Sequence, residues 1–152
     1  MMTIAQIMEK MIAFSEGNIH DITHLSCVWT YAKTIGELEV AAITHDIACP
    51  LCRKKYGNTN GKYQEQEGAP LVREFLADTG MTAEQIDRVA YLVGHHHSPA
   101  QIDGIDYQIL IEADYIVNAS ESGYDQQAIR TFMEHTMKTA AGIQLTKTVF
   151  GV

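Results

Sequence analysis

Residues 107–119 read YQILIEADYIVNA. The run is apolar on every side and shows no alternation of polar and apolar residues. It is also longer than a strand needs, so it predicts a buried helix. No other segment shows the strict alternation of a half-buried strand. The chain therefore reads as all-α, a compact single-domain bundle of six or seven helices around one core.

Working outward, Ile4, Ile7, Met8, Met11 and Ile12 recur at helical spacing, and Gly17-Asn18 ends that helix. A second helix runs from about Asp21 to Gly36, with Leu25, Val28, Trp29 and Ala32 on one face. Residues 37–48 predict a short apolar helix that Pro50 stops. "RKKYGNTNGKY" reads as a basic loop, followed by a helix from about Glu65 to Ala77. Thr82, with Gln85 three residues on, predicts a capped start for a helix that reaches the triple histidine 95–97. A last helix is expected over 126–141, with Ile129, Phe132, Met133 and Met137 facing inward. A chain of 152 residues suits one domain, 1–152.

The net charge is −8. That argues against a nucleic-acid polymer or an anionic membrane as partner, because both select a basic face. The three cysteines are an odd count, unlike a secreted disulfide scaffold. The N-terminal sequence "MMTIAQIMEKMIAF" does not read as a signal peptide, and no apolar run has the ~20 residues a membrane span needs. A cytoplasmic protein is expected, with the oligomeric state open, including a homo-oligomer.

Four positions put a titratable group where the pattern wants an apolar one: His24, His45, Asp46 and Asp114. A buried carboxylate costs several kcal/mol unless it is paired or binds a cation. Asp114 has only Glu112 as a charged neighbour in sequence, and its sign is wrong. Each residue alone fits an ordinary core or capping role; four on three central helices fit it poorly. Two imidazoles and two carboxylates suit Mn²⁺, Fe²⁺, Co²⁺, Ni²⁺ or Zn²⁺, with Mg²⁺ also admissible.

"DITHLSCVWTYAKTIG", "AAITHDIACP" and "QILIEADYIVNA" together resemble the H…HD…D pattern of HD-domain metal-dependent phosphohydrolases, over about residues 20–120. The resemblance implies a helical bundle and a phosphohydrolase with His24, His45, Asp46 and Asp114 as ligands of one divalent ion. His45 and Asp46 would be the catalytic pair, and the substrate a small phosphate ester, with nucleotides among the candidates. A second pair, His20-Asp21, reads as helix-entry sequence. Where two-metal members carry a further histidine, this chain has Gln64, with Glu65 and Glu67 nearby, so a single ion is expected. His96 is expected near it, and Glu65 or Glu67 are base candidates. Arg53 and Lys54 follow the His-Asp segment and are candidates for holding phosphate. Two alternatives remain: an HD-type di-iron oxygenase and a non-catalytic metal- or ligand-binding protein.

Cys49-Pro50-Leu51-Cys52 is a competing signature. A reactive C-x-x-C wants its first thiol at a helix start. Cys49 is expected at a helix end, and no second ligand pair completes a zinc site. The pair is therefore read as packing.

Overall fold

The computed structural model describes residues 1–36 and 38–152, and among them there are nine α-helices and no strand. The helices are α1 (Ile4–Phe14), α2 (Ile19–Gly36), α3 (Val40–Thr44), α4 (Cys49–Tyr56), α5 (Gly61–Leu76), α6 (Ala83–Val93), α7 (Ile105–Ser122), α8 (Gln126–His135) and α9 (Ala140–Phe150). The all-α class stands, but the number of helices exceeds six or seven. No helix among the described residues is long and apolar enough to cross a membrane.

Local chemistry sets several boundaries. Thr3 and Thr82 each accept from the amide three residues on, and the glutamine there returns the bond to the cap amide. Helix α7 is the most enclosed element, burying Tyr107 to Asp114 without a break, as its sequence requires. Its most extensive packing is against α2, while α3 packs between α2 and α6. One apolar cluster joins Ile7, Leu25, Val28, Ile43, Val72, Val93 and Leu110.

Three expectations change. The helix expected over 37–48 is split: α3 ends at Thr44, residues 45–48 form a turn, and α4 begins at Cys49 (Glu37 lies outside the described residues). Pro50 therefore opens a helix and does not stop one; in the first turn its missing N–H has no partner to lose. Arg53, Lys54 and Lys55 belong to the last turn of α4, where cations complement the carbonyl end, and not to a loop.

The third change is at the C-terminus. The helix expected over 126–141 breaks after His135, and α9 follows. Glu112 of α7, fully buried, explains the break. Its carboxylate accepts from Lys138 N (3.0 Å), Thr139 N (3.2 Å), Thr139 Oγ1 (2.6 Å) and Gln108 Nε2 (2.5 Å). Backbone donors claimed by a carboxylate cannot also continue α8. Met137 is buried within this connection.

Candidate metal centre

Three segments converge below the mouth of one cleft. Helix α2 brings His24, the turn between α3 and α4 brings His45 and Asp46, and α7 brings Asp114. His24 Nε2 lies 3.2 Å from His45 Nε2, 3.1 Å from Asp114 Oδ1 and 3.3 Å from Asp46 Oδ2. His45 Nε2 lies 3.3 Å from Asp114 Oδ1 and 3.5 Å from Asp46 Oδ2. His45 keeps helical backbone angles at the end of α3 (φ −56°, ψ −35°), and its Nε2 and the Oδ2 of adjacent Asp46 still come within 3.5 Å of one another.

The far nitrogen of each ring is committed elsewhere. His45 Nδ1 donates to Ala42 O at 2.7 Å, and His96 Nδ1 to Val93 O at 2.8 Å. His24 Nδ1 donates to the carboxylate of Glu121, 3.1 Å from each oxygen. In the neutral rings the Nε2 lone pairs therefore all face the carboxylates. Lone pairs and carboxylates aimed at one another repel unless a cation lies among them. Two ligands each ~2.1 Å from one ion stand ~3.0 Å apart at a right angle and ~3.4 Å apart at the tetrahedral angle. The observed 3.1–3.5 Å separations match that range, so the donor set fits a divalent ion.

Without an ion, protons take its place. Burial alone would lower His24 and His45, but the Asp114 hydrogen bond and the charges of Asp46 and Asp114 outweigh it. His24 is raised, and His45 reaches about 10. Burial would raise Asp46 and Asp114; the neighbouring histidines instead hold both well below the usual carboxylate range. The cluster attracts positive charge.

Beside this group, Asp46 turns its other oxygen to His96 Nε2 at 3.3 Å. Asp46, His96 and His97 form a second set of donors close enough to hold an ion, sharing Asp46 with the first. Consecutive histidines on a continuing helix would point ~100° apart. In the structure α6 ends at Val93, and the turn that follows lets His96 and His97 face the same side. His95 turns away and stacks on Tyr91.

The remaining candidates divide. Gln64 is buried; its Nε2 donates to Thr59 O at 2.6 Å, which leaves Oε1 to accept from His97 Nε2 at 3.1 Å. It holds His97. Arg53 borders the cleft, but both its terminal nitrogens bind Asp21, at 2.7 and 2.5 Å. Glu65 accepts from Ser98, Glu67 from Lys55 and Tyr56, and Lys54 pairs with Glu16. None of these last three lines the cleft. The cleft, about 150 Å³, is bordered by His20, Asp21, Thr59 and Asn118 as well as by His24, Asp46 and Asp114, with His45 buried beneath it. Sequence reasoning missed Glu121 and Asn118, took His96 alone from the triple histidine, and set His20-Asp21 apart as helix-entry sequence. Asn118 and Glu121 stand one and two turns beyond Asp114 on the same face of α7, a spacing visible in the sequence.

The HD-domain family model matches residues 21–128. The chain belongs to the HD-domain family. Comparison with curated proteins gives no match. A crystal structure described as a predicted HD superfamily hydrolase, from an uncultured Thermotogales bacterium, aligns with this HD domain at a TM-score of 0.66. The alignment is 20% identical and covers 97% of this chain and 83% of that one, so it shows a shared fold.

Cys49 stands at the start of α4 and not at a helix end, which corrects the reason for setting the pair aside. The start of a helix favours a thiolate. Here burial, then the charges of Asp46 and Asp21, push the Cys49 thiol far up; burial and Glu67 raise Cys52. Both thiols are free, and among the described residues neither belongs to a donor group that could hold an ion. Cys49→Ser and Cys52→Ser are expected to keep metal content and activity within about threefold of the parent. A tenfold loss, or activity that follows the redox potential of the buffer, would restore the cysteines to the site.

Proposed function

We propose that this HD-domain protein is a metal-dependent phosphohydrolase acting on a small phosphate ester. The observation that carries the reading is the convergence of two Nε2 lone pairs and two carboxylates, from α2, α7 and the 45–48 turn, beneath an open cleft. His24, His45, Asp46 and Asp114 would hold one divalent ion. Bound there, it would polarise phosphoryl oxygens and bring the pKa of a water toward neutrality.

The chain's own groups supply the rest. Asp46 Oδ1, facing His96 and the cleft, is placed to accept a proton from an attacking water. His96 Nε2 faces the same oxygen, and the bond from its Nδ1 to Val93 O holds the ring in that position. Asp21 neutralises Arg53, and the cleft lining contains no lysine. That favours an ester with a single phosphoryl group over a polyphosphate. A second hollow of about 160 Å³, sharing His97, Asp114 and Asn118 with the first, is floored by Ile111, Tyr115, Phe132 and Pro99. A leaving group with a flat apolar face, such as a nucleoside, suits it.

The test is a panel of nucleoside monophosphates, nucleoside triphosphates and sugar phosphates, assayed for phosphate release with Mn²⁺, Co²⁺, Ni²⁺, Fe²⁺, Zn²⁺ or Mg²⁺. Monophosphate hydrolysis that chelation abolishes and metal restores is expected. No hydrolysis by metal-loaded protein anywhere on the panel would instead favour the non-catalytic reading. The Asp46–His96–His97 group supports a second reading, a two-metal centre of the oxygenase kind. Two irons per chain and O₂ consumption would mark it.

A further inference from the structure

We propose that Glu121 is a positioning residue of the metal centre, fixing His24 with its Nε2 lone pair turned toward Asp46 and Asp114. The inference rests on the metal-centre reading above and goes beyond its four ligands.

The three buried histidines face the same need: one ring nitrogen must carry the proton elsewhere so that the other can bind. His45 and His96 meet it locally, through carbonyls three residues back at the end of a short helix and in a turn. His24, inside α2, makes no such local bond. A side chain from another element supplies the acceptor: Glu121, with both oxygens 3.1 Å from Nδ1. Two turns of α7 separate Asp114 from Glu121, so one helix face delivers a candidate ligand and the group that orients a second one. The close packing of α2 on α7 makes this contact.

Glu121 is itself steadied. His20, one turn before His24 on α2, brings Nε2 to 3.4 Å from Glu121 Oε2, and the two imidazoles lie stacked. The His20-Asp21 pair thus flanks the centre: His20 supports Glu121, and Asp21 holds Arg53. A carboxylate behind an imidazole fixes its tautomer and makes its other nitrogen a better donor than a neutral carbonyl can. His24 is the histidine of the set that receives this treatment.

The test is metal affinity, read without any substrate. Binding of Zn²⁺ or Mn²⁺ alone to metal-free protein is measured by competition with a chromophoric chelator, across a range of pH. Glu121→Ala is expected to weaken binding by about 10–100-fold. Glu121→Gln keeps an acceptor oxygen without the charge and is expected to fall between Glu121→Ala and the parent. Glu134→Gln, on the exposed side of α8, controls for charge and is expected to bind as the parent does. Melting of the metal-free forms shows whether each variant is folded. If Glu121→Ala does not fold, Glu121→Gln decides. A folded variant at position 121 with parental affinity and parental pH dependence overturns the proposal. A parent protein that binds neither ion overturns the metal-centre reading beneath it, a separate outcome.

Discussion

Asp114→Ala and Asp46→Ala are each expected to lose the divalent ion proposed to bind there and the hydrolysis proposed to depend on it. Both carboxylates lie within 3.5 Å of both His24 Nε2 and His45 Nε2. Removing either one leaves two imidazoles and a single anion to hold a dication in a buried site. An ion worth several kcal/mol to the transition state takes roughly 10³-fold or more of kcat/KM with it when it is lost. Stability is expected to fall as well, since truncation leaves the buried imidazoles short of a carboxylate they pair with. The check is metal content and phosphate release on the same preparation. Full metal in purified Asp114→Ala would remove that residue from the ligand set.

The second large effect is on folding, far from the ion. Glu112→Ala strips the acceptor from Gln108, the Lys138 and Thr139 amides, and the Thr139 hydroxyl, all at a fully buried point. Leaving such donors unpaired costs about 3 kcal/mol. For a chain this long that lowers Tm by about 6–12 °C. Gly142→Ala reaches the same joint from the other side. A methyl there would meet Glu112 Oε1 and Thr139 Oγ1, and the carboxylate is too well tethered to step aside. Alanine's better helix propensity, about 1 kcal/mol, does not offset the collision. Thermal melts of both variants read the effect. Parental melting in both would mean that the carboxylate does not hold α8 and α9 in place. Metal affinity of the folded variants should be unchanged, which separates this joint from the metal centre.

How much of this was legible follows from what each signal depends on. Helices α1, α2, α6 and α7 were legible because their apolar spacing is a local property. His24, His45, Asp46 and Asp114 were legible because each interrupts an apolar face, and the structure brings all four together. Pro50 misled because proline is compatible both with ending a helix and with opening one. Only the packing of the 45–48 turn decides between them, and nothing in ten residues of sequence encodes that. The break after α8 depends on Glu112, distant in sequence, so no local pattern announces it. Gly94 ends α6 and frees His96 and His97 to turn together; the glycine was visible, its consequence for two rings was not. Glu121, like Asn118, carried a signal that was present and unread, since it repeats the position of Asp114 two turns on.

The central claim is that these residues are built around a divalent ion. Elemental analysis of protein purified without chelator, then stripped and reloaded separately with Mn²⁺, Fe²⁺, Co²⁺, Ni²⁺ and Zn²⁺, tests it most directly. The account predicts about one tightly held ion per chain, recovered on reloading. Protein that is folded, carries no metal as isolated and retains none of the five after reloading would contradict it.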